Sequence, residues 1–156
     1  MLLPLLLALQ VSAPAPPAIP IAVVDMPRLV SESIAGKAAT ARLDALRTAK
    51  EKAITAKNAA LQVLTVNGAP NATIERERIA LQRLGQDADV EVGALNQQLQ
   101  KEFAAKVNPI LKRIAEEDHF GFIMQSPQPL IAWADPAVDI TTKVVQRLDA
   151  LEKPKP

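Results

Sequence analysis

The stretch KAATARLDALRTAKEKAITAKNAALQVLTVNGAPN, residues 37–71, decides the fold. From Lys37 to Val66 it contains no Gly or Pro, and it is dominated by residues of high helix propensity such as Ala, Leu, Lys and Gln. It therefore predicts a helix of roughly 30 residues, about 45 Å long. The segment from Asn67 to Asn71 concentrates turn residues, so the helix should end there.

A second helical stretch follows from Thr73 to Asp118, so the two helices should form a long antiparallel hairpin. Gly85 and Gly93 inside it are either hinges or glycines that a long coil tolerates, and Pro109 should kink or split the helix where arm meets body. On the first helix, residues three and four apart form a thin apolar stripe that should pack on the returning helix: Leu46, Ala49, Ala53, Ala56, Ala60 and Val63.

The segments around the hairpin predict a small body. Gly36 should mark a bend before the first long helix, and Gly121 should take the left-handed conformation that ends the second. The predicted elements are a strand at Ile21–Asp25, a short helix at Met26–Ser33, strands at Phe122–Met124 and Leu130–Ala134, and a helix at Ile140–Leu151 that Asp139 caps.

These elements predict an α+β fold that is mainly α. A small three-stranded sheet body, residues 21–36 and 107–151, should carry a coiled-coil arm, residues 37–106, and a C-terminal helix. Together they make one domain, residues 21–151.

Residues 1–20 are expected to lie outside this domain. Leu2–Val11 is almost wholly apolar and is followed by small residues, which is typical of a secretory signal peptide. The alternative is a buried hydrophobic helix, against which Pro4 and Pro14 argue. The prolines from Pro14 to Pro20 should then form an extended spacer.

Sequence signatures of enzymes are largely missing. The chain has no Cys and a single His, His119, so a thiolate nucleophile and a metal cluster built on several His residues are excluded within one subunit. It has no Gly-rich phosphate loop and no GxSxG motif. We therefore predict no catalytic residue, no metal and no cofactor. Nucleic acid is disfavoured as a partner because the arms lack aromatic residues for base stacking.

The hairpin is asymmetric in charge. Residues 37–66 hold six basic and two acidic residues, a net charge of +4, whereas residues 73–118 hold seven basic and nine acidic, a net charge of −2. Either the two helices pair with each other, or the basic helix attracts acidic partner proteins, here called clients, and anionic lipid headgroups. The candidate client-binding residues are Arg42, Arg47, Lys50, Lys52, Lys57, Ile54, Leu61 and Leu64.

Both ends of the domain resemble the Skp/OmpH family of periplasmic chaperones. The similar stretches are IAVVDMPRLVSESIAGKAA, residues 21–39, VNPILKRIAEE, residues 107–117, and LIAWADPAVDITTKVVQRL, residues 130–148, of which ADPAVDIT is the most specific. The resemblance implies a homotrimer whose arms surround a cavity and hold unfolded outer-membrane proteins in the periplasm without ATP. The body residues expected to form the trimer are Ile21, Val23, Val24, Phe122, Ile123, Leu130, Ile131 and Trp133.

A second function class remains open at this point. The same chain could be a structural coiled-coil protein, such as an envelope spacer or an assembly adaptor with one fixed partner. A holdase should bind several unrelated unfolded proteins, whereas an adaptor should bind one folded partner.

Overall fold

The computed structural model describes residues 20–126 and 134–152. In these residues the elements are β1 (Ile21–Asp25), α1 (Met26–Glu32), α2 (Ile34–Val66), α3 (Asn71–Glu117), β2 (Phe122–Ser126), a short 3-10 helix (Pro136–Val138) and α4 (Thr141–Glu152). The predicted signal segment, apart from Pro20, lies outside the described residues. Four of the five residues of the predicted third strand, 130–133, also lie outside them, and Ala134 is in no strand.

The first two helices begin at side-chain caps. The Asp25 carboxylate accepts a hydrogen bond from the Arg28 backbone N–H at 3.0 Å, and the Ser33 hydroxyl accepts one from the Gly36 N–H at 3.1 Å. The bend therefore lies at Ser33, and the prediction of a bend at Gly36 is wrong. Gly36 lies in the first turn of α2, where the backbone of Val30 approaches so closely that a Cβ atom would not fit.

The long helix α3 continues through Pro109 to Glu117, so the predicted split is absent. One lost hydrogen bond and a local clash do not end a helix whose following turns are held in the core. Beyond its end, His119 takes the left-handed conformation with φ 58°, and the Phe120 N–H donates to the Ala115 carbonyl at 3.0 Å. The sequence assigned this conformation to Gly121, which does not adopt it.

The two strands are parallel neighbours, with Ile21 beside Phe122 and Asp25 beside Ser126. On the other edge of β1, the Ile140 N–H donates to the Val23 carbonyl at 2.9 Å. β1 therefore has hydrogen-bonded neighbours on both sides. This contact places the start of α4 against the strand.

The hydrophobic core lies between β1, the helices α1 and α4, and the last four turns of α3. Val23 is half-buried, while its neighbours Ala22 and Val24 are fully buried. The core residues are Ala22, Val24, Leu29, Ala35, Phe103, Val107, Ile110, Leu111, Ile114, Ile140, Val144 and Leu148. Between residues 37 and 98 only Ala88 is buried, so most of the length of α2 and α3 lies outside this core.

Candidate functional site

The two long helices α2 and α3, here called the helix pair, contact each other along much of their length. Cross-helix ion pairs join residues early in α2 to residues late in α3 and the reverse: Arg42 to Glu102, Lys50 to Glu91 and Lys57 to Glu77. The Lys50 ammonium lies 2.6 Å from its carboxylate, and the Arg42 guanidinium lies 3.4 Å from its own. Three of the basic side chains of α2 are therefore paired with carboxylates of α3 in the same molecule.

The seam between these helices differs from the predicted stripe. The half-buried positions of α2 recur three and four apart, as in a coiled coil, and they are Leu43, Leu46, Lys50, Ile54, Lys57, Leu61 and Leu64. Beyond Leu46 the predicted stripe is wrong, because Ala49, Ala53, Ala56, Ala60 and Val63 are exposed. On α3 the matching half-buried or buried positions are Ile74, Glu77, Leu81, Leu84, Ala88, Val92 and Leu95.

The structure places the eight candidate client-binding residues in two environments. Arg42, Arg47 and Lys52 are exposed. Arg47 lies 3.9 Å from Asp44 of its own helix, and Lys52 has no carboxylate within 4.0 Å in the described part of the chain. The other five, Lys50, Ile54, Lys57, Leu61 and Leu64, share the seam of the helix pair. Sequence reasoning missed Glu91 and Glu77, the ion-pair partners of Lys50 and Lys57.

The end of the helix pair next to the turn carries exposed apolar side chains. Val66 is 85% exposed, and Val63 is exposed beside it. A shallow groove at this end is lined by Leu61, Gln62, Thr65, Val66 and Arg78. Further along α3, Ile79 and Val90 are also exposed. These apolar residues are scattered singly over a polar surface and form no large contiguous patch.

One face of the small sheet is apolar, and no other element among residues 20–126 and 134–152 covers it. Because neighbouring residues of a strand point to opposite faces, Ile21 and Val23 share this face with Phe122 and Met124. Ile21, Phe122 and Met124 are all exposed, and Phe122 is 55% exposed. Of the predicted oligomer residues, Val24 and Ile123 instead face the core, and Leu130, Ile131 and Trp133 lie outside the described residues.

Polar contacts fix α4 to the rest of the body. The Thr141 hydroxyl is buried and accepts a hydrogen bond from the Asp25 N–H at 2.9 Å. Burial opposes ionisation of Asp139, but hydrogen bonds from Thr141 and from Arg28 outweigh it and lower the pKa of this carboxyl. These contacts explain why an Asp-Ile-Thr sequence stands at the start of α4.

An ion pair joins the end of α3 to the middle of α4. Arg147 donates a hydrogen bond to Glu117, and this bond lowers the pKa of the Glu117 carboxyl. A groove of about 580 Å³ between the two helices lies beside this pair. It has a mostly apolar lining with a basic rim: Ala105, Lys106, Pro109, Ile110, Arg113, Glu117, Arg147, Ala150 and Leu151.

The described residues lack both a metal-binding cluster and a membrane-spanning helix. No group of three or more His, Cys, Asp or Glu residues there could hold a metal ion. His119 is exposed next to the end of α3 and lies in no such group. Within residues 20–126 and 134–152, no helix combines the length and apolarity needed to cross a bilayer.

Comparison with known proteins adds a family and a fold. The family model for OmpH-like outer membrane proteins matches residues 20–148. No curated protein matches the sequence. Among solved structures, the fold is similar to the 2.83 Å crystal structure of a candidate OmpH-like outer membrane chaperone from Caulobacter crescentus CB15. The two chains are 23% identical with a TM-score of 0.50, and the match covers 92% of each, so this likeness concerns the fold.

Proposed function

The chain belongs to the OmpH-like family of outer membrane proteins, and from this premise we propose that it is a periplasmic holdase chaperone. In this proposal it binds unfolded outer-membrane proteins without ATP, prevents their aggregation and catalyses no reaction. The helix pair forms an antiparallel hairpin arm, three copies of the chain associate through their bodies, and the three arms surround the client.

One observation supports this proposal more than any other. Between residues 37 and 98 the helix pair contributes a single buried residue, Ala88, so the arm outside its half-buried seam is available as surface. Such a surface, polar with scattered apolar residues, suits many weak contacts with an unfolded chain.

The direct test is suppression of aggregation. An outer-membrane porin unfolded in urea and diluted into buffer should aggregate alone, and light scattering should stay low when the protein is present in excess. A second, unrelated β-barrel protein should be protected equally. Binding of a single folded partner with no protection of either barrel would favour the envelope spacer or assembly adaptor instead.

Exposed basic residues of the arm are expected to contribute modestly to client binding. Lys37 and Lys52 are exposed, and neither has a carboxylate within 4.0 Å in the described residues. Replacing both by Gln should weaken porin binding by roughly twofold, since exposed charges contribute only tenths of a kcal/mol each. Raising the salt concentration should have a parallel effect, because it screens such charges. Fluorescence anisotropy of a labelled unfolded porin would measure both.

The control for this prediction is a pair of lysines that the arm itself uses. Lys50→Gln with Lys57→Gln removes the same charge, but these side chains are already paired with Glu91 and Glu77. This double variant should lower the stability of the arm more than it weakens porin binding. If Lys37→Gln with Lys52→Gln leaves both affinity and salt dependence unchanged, exposed arm charge serves only solubility. Anionic lipid vesicles in place of porin would report whether the same lysines contact headgroups.

The apolar sheet face is expected to be the contact between copies. Phe122→Asp places a carboxylate on this face, and burying it unpaired at a subunit contact costs several kcal/mol. Association should weaken at least a hundredfold, while the single chain keeps its helix content because Phe122 is exposed there. Light scattering after size exclusion would give the mass, with Val90→Asp on the arm as the control. A Phe122→Asp protein that remains a trimer would exclude this face from the contact.

A further inference from the structure

Two lysines occupy positions in the seam of the helix pair that a coiled coil normally fills with apolar residues. Lys50 and Lys57 are one heptad apart, and their side chains are only 23% and 33% exposed. Lys52 lies between them in sequence and is exposed. A charged residue at a seam position fixes the register of two helices at a cost in stability. These two lysines therefore lie at the edge of the seam, only partly in contact with water.

Each seam lysine is neutralised by the opposite helix. Lys50 pairs with Glu91 and Lys57 with Glu77. On α3 between these glutamates lie Leu81 and Leu84, which are half-buried, and Gly85 and Ala88, which add little apolar area. Nearer the body the seam has more large apolar residues: Leu43, Leu46, Val92, Leu95 and Leu99. The middle of the helix pair therefore combines a few apolar side chains with two ion pairs, whereas large apolar residues predominate at its base.

We propose that Lys50–Glu91 and Lys57–Glu77 form a polar latch that holds the helix pair in register and sets how readily it opens. Ionic strength should control the opening, because both pairs remain partly exposed and are therefore screened by salt. Opening uncovers the apolar residues beside the latch: Ile54, Leu61, Leu81 and Leu84. If the protein is the holdase proposed above, this hidden seam is a second apolar surface for an unfolded client, and that consequence rests on the proposed function.

Charge reversal tests the latch in the full chain. Lys50→Glu with Lys57→Glu sets like charges against Glu91 and Glu77, so amide exchange across residues 50–61 should accelerate at least tenfold. Adding Glu91→Lys and Glu77→Lys restores opposite charges with their signs exchanged and should return exchange to within about threefold of the original rate. In the unmodified protein, exchange in the same residues should quicken as salt is raised, more than it does in the body.

The matched control is Lys52→Glu with Lys37→Glu, which changes the net charge equally at exposed positions. This variant should exchange like the unmodified protein. The proposal is overturned if the Lys50 and Lys57 reversal leaves exchange unchanged, or if the fourfold swap fails to restore it. Porin protection by the unmodified protein is measured separately, so loss of the holdase function and loss of the latch are distinguishable: the first appears in scattering and the second in exchange.

Discussion

Replacing Gly36 by Ala is expected to lower the free energy of unfolding by about 3 kcal/mol, since it inserts a methyl group where the backbone leaves no room. A Cβ atom on Gly36 would lie 2.7 Å from both the Cα and the carbonyl carbon of Val30, and closer still to its carbonyl oxygen. Backbone atoms cannot move aside as a flexible side chain can. The turn between α1 and α2 would have to open, which would strain the buried cap at Ser33.

The same substitution elsewhere provides the control. Gly93 lies in α3 with no atom within 4 Å of an added Cβ, so Gly93→Ala should raise stability by up to about 1 kcal/mol through helix propensity alone. Urea unfolding followed by circular dichroism would measure both variants. The opposite signs are the test, because a Gly36→Ala protein as stable as the original would mean that the close approach of Val30 is not a constraint in solution.

These two glycines show which features a sequence reveals. Local signals placed the elements well: the turn after Val66, the strand at Ile21–Asp25 and the helix start after Asp139 depend on residues within a few positions of each other. Gly36 resembled a bend when viewed locally. Glycine is required there because the backbone of Val30, in the preceding helix, leaves no room for a Cβ atom. No local sequence pattern reports this contact.

The seam shows a different limit. On α2 two faces satisfy the spacing of three and four, one made mostly of Ala and one of Leu, Ile and Lys. Counting Ala as apolar and Lys as polar favours the first face. Burial favours the second, because Leu and Ile remove more area from water and a Lys stem can pack while its ammonium finds a carboxylate. The glutamates at 77 and 91 were the available signal, and they become informative only once the helices are set side by side.

The seam contains most of the candidate client-binding residues. Of the eight residues chosen from sequence for client contact, five share the seam, and their role in client binding stays a prediction. The net charge counted on each helix does not by itself predict that the helix attracts a client, because a neighbouring helix can neutralise that charge. On the body, Ile21, Val23 and Phe122 share one face of the sheet, whereas Val24 and Ile123 face the core, and the role of these residues in association stays a prediction.

Replacing Ile114 by Ala should destabilise the body by about 2 to 5 kcal/mol, since it leaves a cavity in the core. Ile114 is 0% exposed and lies in the last turn of α3, where the core also receives residues from β1 and α4. The body is small, so few other contacts can offset the loss. If copies of the chain associate through the body, as proposed above, Ile114→Ala should also weaken that association, and once the copies are separated the midpoint of thermal unfolding should no longer depend on protein concentration.

The matched control is Ile79→Ala, the same substitution on the same helix at a position that is 42% exposed. It should cost less than about 1 kcal/mol, because a large part of the side chain is already in water and its removal leaves no enclosed cavity. Differential scanning calorimetry of both variants at two protein concentrations would separate core stability from association. Equal losses for the two variants would contradict a core confined to the body. A stable Ile114→Ala monomer would show that the body folds without its partners, so that association is a later step.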